Sequence, residues 1–220
     1  MQLIIIIPAF NPPKSFNDLL NNIRNITNHH ILIIDDGSKK KIVIHNSNNM
    51  TLLRNKQNLG KGKALLIGFK YAFNKNYTHA ITMDCDSQHS PISLIDFINF
   101  NSNISLVYGA RVIKSPMPWQ RIISNLFTSK IISFLFNYNI LDSQCGYRRY
   151  KLEDIINLQV NQTSYQLETE LLIYIIKKKL PIEFTKTPTI YDSENSYINP
   201  IYEIFNFIKT IIHHKVNNDI

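Results

Sequence analysis

Apolar residues arrive along this chain in short unbroken runs, each closed by a polar turn. Leu3-Ile4-Ile5-Ile6-Ile7 runs into Pro8, and Ile31-Leu32-Ile33-Ile34 runs into Asp35-Asp36-Gly37-Ser38. A strand that is apolar at every residue, rather than at alternate ones, is buried on both faces, as in a parallel sheet covered by helices on each side. Between the two runs, Leu19, Leu20, Ile23 and Ile26 recur at helical spacing behind Ser15 and Asp18, which stand as a capping box. The opening is therefore expected to be a β-α-β unit. The pattern predicts further strands at Thr51-Leu52-Leu53, Ala80 to Met83 and Leu106-Val107-Tyr108, and helices over Lys61 to Phe73 and over Pro91 to Phe100 with Ser90 as cap. Beyond this the texture changes. Helices are predicted over Arg121 to Phe136, Ser164 to Lys179 and Ile201 to His214, with one more strand at Ile182 to Thr187. No linker rich in Pro, Gly or Ser divides the halves, so the reading is one α/β domain over 1–220 with a mostly parallel central sheet flanked by helices. Residues 1–112 carry the polar strand ends, and 113–220 carry the amphipathic helices.

Composition narrows the function classes. With 24 Lys+Arg against 16 Asp+Glu, the net charge of +8 favours an anionic partner: nucleic acid, a phosphorylated small molecule or an anionic membrane face. Two cysteines, Cys85 and Cys145, are too few for a disulfide framework or a Cys-based zinc site, and a reducing compartment follows as the default. No run reaches the roughly 18 apolar residues of a membrane-spanning helix, and Gln2 to Ile7 shows neither a basic leader nor a cleavage site. The expectation is a cytoplasmic protein, soluble or peripheral on a membrane. Because the chain holds 37 Ile and 26 Asn, single residues of these types carry little weight, and its five Asn-x-Ser/Thr triplets read as chance.

Four polar clusters follow apolar runs, where a doubly wound sheet presents functional groups: Pro8-Ala9-Phe10-Asn11, Asp35-Asp36-Gly37-Ser38, Asp84-Cys85-Asp86-Ser87-Gln88-His89 and Gly109-Ala110-Arg111. In extended backbone Asp84 and Asp86 would diverge, but a turn lets both face one hard cation. Mg²⁺ or Mn²⁺ takes one or two carboxylates and completes its shell with diphosphate and water, and Gln88 offers a carbonyl oxygen. Taken alone, an Asp-x-Asp is more often an exposed turn. Asp35 or Asp36 can accept from a base or ribose donor, or cap the turn. Asn58-Leu59-Gly60-Lys61-Gly62-Lys63 opens a helix with the look of a phosphate loop, but it lacks the earlier Gly and the Ser/Thr of a P-loop. Lys61 at a helix N-terminus still suits a phosphate.

In this order and spacing, these clusters together with Asp142-Ser143-Gln144-Cys145-Gly146-Tyr147-Arg148 resemble the family 2 glycosyltransferases of GT-A fold, particularly the polyprenyl- and dolichyl-phosphate mannose and glucose synthases. The resemblance implies a nucleotide-sugar pocket bordered by Pro8, Asn11, Asp35, Asp36, Lys61, Asp84 and Cys85, with residues 1–112 as the nucleotide-sugar-binding half. It implies a divalent metal held by Asp86 and Gln88 with Asp84, and an acceptor phosphate held by Arg111, Arg121 and Ser124. Asp86, Arg111, Arg121 and Asp142 are the implied catalytic set, Asp142 supporting the site or facing the sugar. Glu168 and Glu170 match an acidic family motif. The chain departs from the family in having Asn11-Pro12 where an acidic residue often follows the first strand. Tyr191 to Tyr197 also lacks the late cationic residues of dolichyl-phosphate mannose synthases.

The implied reaction is inverting transfer of a hexose from a UDP- or GDP-sugar, with Mg²⁺ or Mn²⁺ offsetting charge on the leaving diphosphate. An alcohol acceptor needs a general base, whereas a phosphate is already nucleophilic at neutral pH; the arginines favour a lipid phosphate at a membrane surface, and nucleic acid is not expected. Apolar stripes at Ile122, Ile123, Leu126, Phe127, Ile131, Phe134 and Leu135, and at Ile201, Ile204, Phe205, Ile208, Ile211 and Ile212, fit a core face or a membrane face equally. Other classes share these features. A soluble family 2 enzyme acting on a sugar hydroxyl would use Asp142 or Glu168 as base, a sugar nucleotidyltransferase would open with a Gly-rich loop that is absent here, and a non-catalytic nucleotide-sugar-binding module would keep the fold alone.

Overall fold

A computed structural model describes residues 1–44, 49–112, 117–158, 166–190 and 206–212. The described chain runs β1 (Leu3–Ala9), α1 (Phe16–Ile26), β2 (His30–Asp35), β3 (Met50–Arg54), α2 (Lys61–Asn74), β4 (His79–Thr82), a short 3₁₀ turn (Pro91–Ser93) leading into α3 (Leu94–Asn99), β5 (Leu106–Arg111), α4 (Trp119–Phe136), β6 (Arg148–Lys151), α5 (Leu152–Ile155), α6 (Leu167–Lys177) and β7 (Ile182–Thr187). Residues 206–212 are helical. The predicted segments 191–205 and 213–214 lie outside the described residues, as do Ser164 and Tyr165 at the start of the helix predicted over Ser164 to Lys179.

The strands form one sheet in the order β3-β2-β1-β4-β6-β5-β7. Only β6 runs against the others, antiparallel to both β4 and β5. The unbroken apolar runs are buried on both sides as their composition requires. Ile4 and Ile6 pack with Leu65 and Phe69 of α2 on one face, while Ile5 and Ile7 pack with Leu19, Leu20 and Ile23 of α1 on the other.

Three local expectations give way to tertiary packing. Ser15 already has helical backbone (φ −71°, ψ −1°) and its hydroxyl makes no cap, so the capping box does not form. The Pro91 to Phe100 helix divides into the 3₁₀ turn and α3. Gly109-Ala110-Arg111 does not follow a strand but ends β5, paired with Thr185, Lys186 and Thr187 of β7. The largest departure is β6, whose Arg148-Arg149-Tyr150-Lys151 has the composition of an exposed segment. Both arginines are nevertheless fully buried, because backbone carbonyls surround their guanidinium groups. Arg148 donates to Ser143, Cys145 and Glu168, and Arg149 to Phe97, Phe100 and Asn101.

The order also fixes where a ligand can sit. From β1 the chain moves outward through β2 and β3, then crosses back to place β4 on the other flank of β1. This reversal opens a crevice at the carboxyl ends of β1 and β4. The last bond between these strands runs from the Met83 N–H to the Ile6 carbonyl (3.1 Å), so Pro8 stands where the sheet has parted and its missing N–H breaks no ladder.

Candidate active site

The crevice is walled by loops that tie one strand end to the next. Asn11, in left-handed backbone (φ 48°), donates its N–H to Ser38 Oγ (2.9 Å) and accepts the Lys39 N–H at its Oδ1 (2.8 Å), joining the β1 and β2 loops. Asp35 is fully buried, accepts the Ser38 N–H and forms an ion pair with Arg54. Asp36 accepts from Asn55 Nδ2 (2.7 Å) and from the N–H groups of Leu59 (3.0 Å) and Gly60 (2.8 Å). The two carboxylates are thus occupied within the protein, and Asp36 anchors the loop that begins α2 and so places Lys61.

At the centre, Lys61 Nζ lies 2.6 Å from Asp84 Oδ1 and 3.2 Å from Glu168 Oε2. Burial by itself would lower the lysine, but the two carboxylates hold it well above its ordinary value, and it stays an ammonium. Burial likewise pushes Asp84 upward, and the Lys61 charge overrides it, holding the carboxyl at about 2. Asp86 has no such cation: burial and then the charge of Asp84 push it up to about 6. Ser87, with φ 62°, makes the turn, and the Gln88 N–H donates to Asp86 Oδ1 (3.0 Å). Gln88 thereby enters the turn through its backbone.

His89 accepts the Asp84 N–H at Nδ1 (3.1 Å) and stacks on Tyr147, which stacks on Phe97. Burial lowers the ring to about 4, so it is neutral and structural. The Cys85 thiol is pushed up to about 12 by burial and then by Asp84 and Asp86, so it is a protonated filler rather than a nucleophile. Gly146 closes the floor. A Cβ there would stand 2.8 Å from Lys61 Nζ, 2.9 Å from Asp84 Oδ2 and 3.0 Å from Glu168 Oε1, so only a bare backbone admits this ion cluster.

A second cluster sits at the end of β5. Arg111 clasps Asp142 through Nε (2.7 Å) and Nη2 (3.1 Å). The same carboxylate accepts from the Arg111 N–H, Asn125 Nδ2 and the Gln144 N–H, and Asp142 has no exposed surface. Burial alone would raise the carboxyl, but Arg111 and these hydrogen bonds hold it below its ordinary value, so it is an anion whose bonds are taken within the protein. In this structure it aims Arg111.

Asn125 belongs to α4, whose inward face is polar. Thr128 and Ser129 bond Ser143, and Ser124 Oγ accepts from Gln144 Nε2 (2.8 Å). Arg121 stands one turn before Asn125 on α4, a spacing that puts both on one side of the helix. The outward face is apolar, with Trp119, Ile123, Leu126, Phe127 and Phe134 exposed, the last at 85%. Ile132 is the one fully enclosed apolar residue of the helix, and the described segment 206–212 adds exposed Ile208 and Ile212.

Sequence patterns did not reveal the Lys61–Glu168 pair, the Gly146 floor, or Asn125 as a partner of Asp142. Each depends on contacts between residues distant along the chain.

The model of glycosyl transferase family 2 matches residues 4–158, a span that includes both carboxylates and the Arg111–Asp142 pair. The chain belongs to this family. It is 32% identical over 148 residues to the UDP-N-acetylglucosamine–dolichyl-phosphate N-acetylglucosaminyltransferase of Methanococcus voltae, covering 63% of this chain and 59% of that protein. It is 27% identical over 140 residues to the polyprenol monophosphomannose synthase of Mycolicibacterium smegmatis, covering 58% of this chain and 53% of that one. The matches therefore span little more than half the length of these two relatives. The glucosyl-3-phosphoglycerate synthase of Mycobacterium tuberculosis, solved with Mn²⁺, UDP and phosphoglyceric acid, shares the fold at a TM-score of 0.75 and 14% identity, over 99% of this chain and 80% of that chain. The sheet and its helices have the GT-A architecture expected for the family.

Proposed function

We propose that this family 2 glycosyltransferase moves a hexose from a nucleoside-diphosphate sugar to a polyprenyl-type phosphate at a membrane surface, with inversion. Both relatives above are named for such acceptors. In the structure, the observation that carries the reading is the occupancy of the would-be bases: Asp142 is enclosed by five donors and Glu168 is paired with Lys61. A hydroxyl acceptor needs a base, whereas a phosphate brings its own anionic oxygen and needs cations, which Arg111 and Arg121 supply. This favours the phosphate acceptor over the hydroxyl acceptor of a soluble enzyme.

The donor would lie in the crevice, its base and ribose against Pro8, Asn11 and the loop held by Asp35 and Asp36, its diphosphate toward Lys61, Asp84 and Cys85. Among the described residues no group of three or more His, Cys, Asp or Glu forms a complete metal cage. The neighbouring carboxylates Asp84 and Asp86, the second without a cation of its own, instead fit a hard cation that shares its shell with a diphosphate. Mg²⁺ or Mn²⁺ held by Asp86, Asp84 and Gln88 would supply Lewis-acid neutralisation of the leaving diphosphate. Arg111, aimed by Asp142, would hold the acceptor phosphate with Arg121 and Ser124.

Calorimetric titration with UDP and GDP, each with and without Mn²⁺, tests the donor site. One nucleotide should bind, and only with metal; binding without any metal dependence would favour a non-catalytic nucleotide-sugar-binding module, and no binding of either would overturn the donor site.

The apolar outer face of α4, with Lys130 within it, supports docking on an anionic leaflet. No described helix is long and apolar enough to cross a membrane. The protein should cosediment with vesicles containing anionic lipid, and the Phe127→Glu/Phe134→Glu double variant should lose about tenfold or more in partitioning, since each ring contributes on the order of 1.5–3 kcal/mol when buried. Equal partitioning of the variant would remove α4 as the docking face.

A further inference from the structure

The ion cluster beneath the crevice is built from two carboxylates, Asp84 and Glu168, and one cation, Lys61. Lys61 bridges Asp84 Oδ1 (2.6 Å) and Glu168 Oε2 (3.2 Å), and its side chain is only 16% exposed. The other oxygen of Glu168, Oε1, is buried and has no hydrogen-bond partner, in a residue 8% exposed. A buried carboxylate oxygen left open is costly unless something is meant to fill it. This one faces the same floor as the ammonium: the position of a Gly146 Cβ would be 2.8 Å from Lys61 Nζ and 3.0 Å from Glu168 Oε1. No side chain on Gly146 separates them.

We propose that Lys61 is a tethered cation that occupies Asp84 in the empty protein and is handed to Glu168 when metal and nucleotide enter. The proposal rests on the donor-site reading above and adds an exchange that makes metal uptake depend on nucleotide. An ammonium at 2.6 Å from Asp84 Oδ1 and a divalent cation on the same carboxylate compete for one position by charge and by contact. The lysine stem is flexible and α2 fixes only its root, so the head can leave Asp84 without disturbing the helix. Glu168 retains it through both oxygens, filling the open Oε1, and the released ammonium is then beside the incoming diphosphate. Glu168 is accordingly a positioning residue, acting on the metal site through Lys61.

The exchange is tested by titrating Mn²⁺, without nucleotide, into the wild type, Lys61→Met, Glu168→Gln and the Lys61→Met/Glu168→Gln double variant, with thermal unfolding of each. Removing the tethered cation should tighten nucleotide-free Mn²⁺ binding by about tenfold or more, the size of effect a neighbouring charge exerts on a carboxylate. Glu168→Gln should weaken Mn²⁺ binding in the presence of Lys61, because the ammonium loses its second seat, and should have no effect once Lys61 is gone. Unchanged affinity in Lys61→Met overturns the exchange. So does an equal weakening by Glu168→Gln in both backgrounds, since that is direct attraction of the cation by Glu168. If Lys61→Met fails to fold because Glu168 is left unpaired, the double variant, which removes both charges, must show the tightened binding for the exchange to stand. Wild type that takes up no Mn²⁺ even with UDP or GDP would instead overturn the donor site itself.

Discussion

If the proposed donor site is right, replacing Asp86 with alanine should abolish metal-dependent nucleotide binding and lower transfer by about a thousandfold or more, because the carboxylate pair would then carry several kcal/mol of charge stabilisation on the leaving diphosphate. The same substitution will make the metal-free protein more stable at neutral pH. Burial and Asp84 push the Asp86 carboxyl up to about 6, above the roughly 3.9 of an unfolded aspartate, so the unfolded chain releases its proton more readily than the folded one. The ionised group therefore opposes folding at neutral pH, by on the order of 2 kcal/mol. That opposition disappears as pH falls below the unfolded value. Urea unfolding of wild type and Asp86→Ala at pH 7.5 and pH 4, with chelator present, should show a gain at the higher pH that shrinks at the lower. A variant less stable than wild type at both would mean that Asp86 holds the turn together and is not a strained metal ligand. Retained Mn²⁺-dependent binding of UDP or GDP would remove it from the donor site.

Arg148→Met will destabilise the protein by several kcal/mol, and soluble expression at 37 °C will fall sharply. The guanidinium is fully buried and donates to three carbonyls: Ser143 (2.7 Å), Cys145 (2.8 Å) and Glu168 (2.6 Å). Methionine fills much of the volume but leaves these acceptors without their donor, at about 1–3 kcal/mol each, against a total stability of about 5–15 kcal/mol for a domain. The consequence reaches the site because these bonds tie the loop of Asp142 and Gly146 to the start of α6, which carries Glu168. Chemical denaturation checks the effect, and a loss under about 1 kcal/mol would mean that water replaces the arginine. Arg149 stands next to it with a different set of carbonyls on the opposite side of β6, so one antiparallel strand pins both faces of the sheet.

The first half of the chain was legible for a physical reason. A parallel strand buried on both faces has to be apolar throughout, so Leu3 to Ile7 and Ile31 to Ile34 announce themselves, and the polar residues that close such runs must fall at strand ends. Asp84 and Asp86 follow directly from that rule, with the turn at Ser87 that their divergence in extended backbone demands. The second half was less legible, because its signals point the wrong way. Arg148-Arg149 looks solvated and is core, and α4 leaves Trp119, Ile123, Leu126, Phe127 and Phe134 exposed while Asn125, Thr128 and Ser129 face in beside Ile132. A buried polar group is tolerated only when its partner is present, and that partner is not a neighbour in the chain.

The sequence by itself determined the class of fold, the family, and the order in which carboxylates and arginines meet the sheet's open end, since these follow from local periodicity and from motifs in series. Only the tertiary structure decided which charges are occupied. It joined Lys61 to Glu168 across more than a hundred residues, enclosed Asp142 behind Arg111, spent Asp35 and Asp36 on loop anchoring and left Glu168 Oε1 open. Pairing of buried charge is a contest between desolvation and contact, and its outcome is set by what folding brings within about 3 Å, a distance that no spacing along the chain encodes.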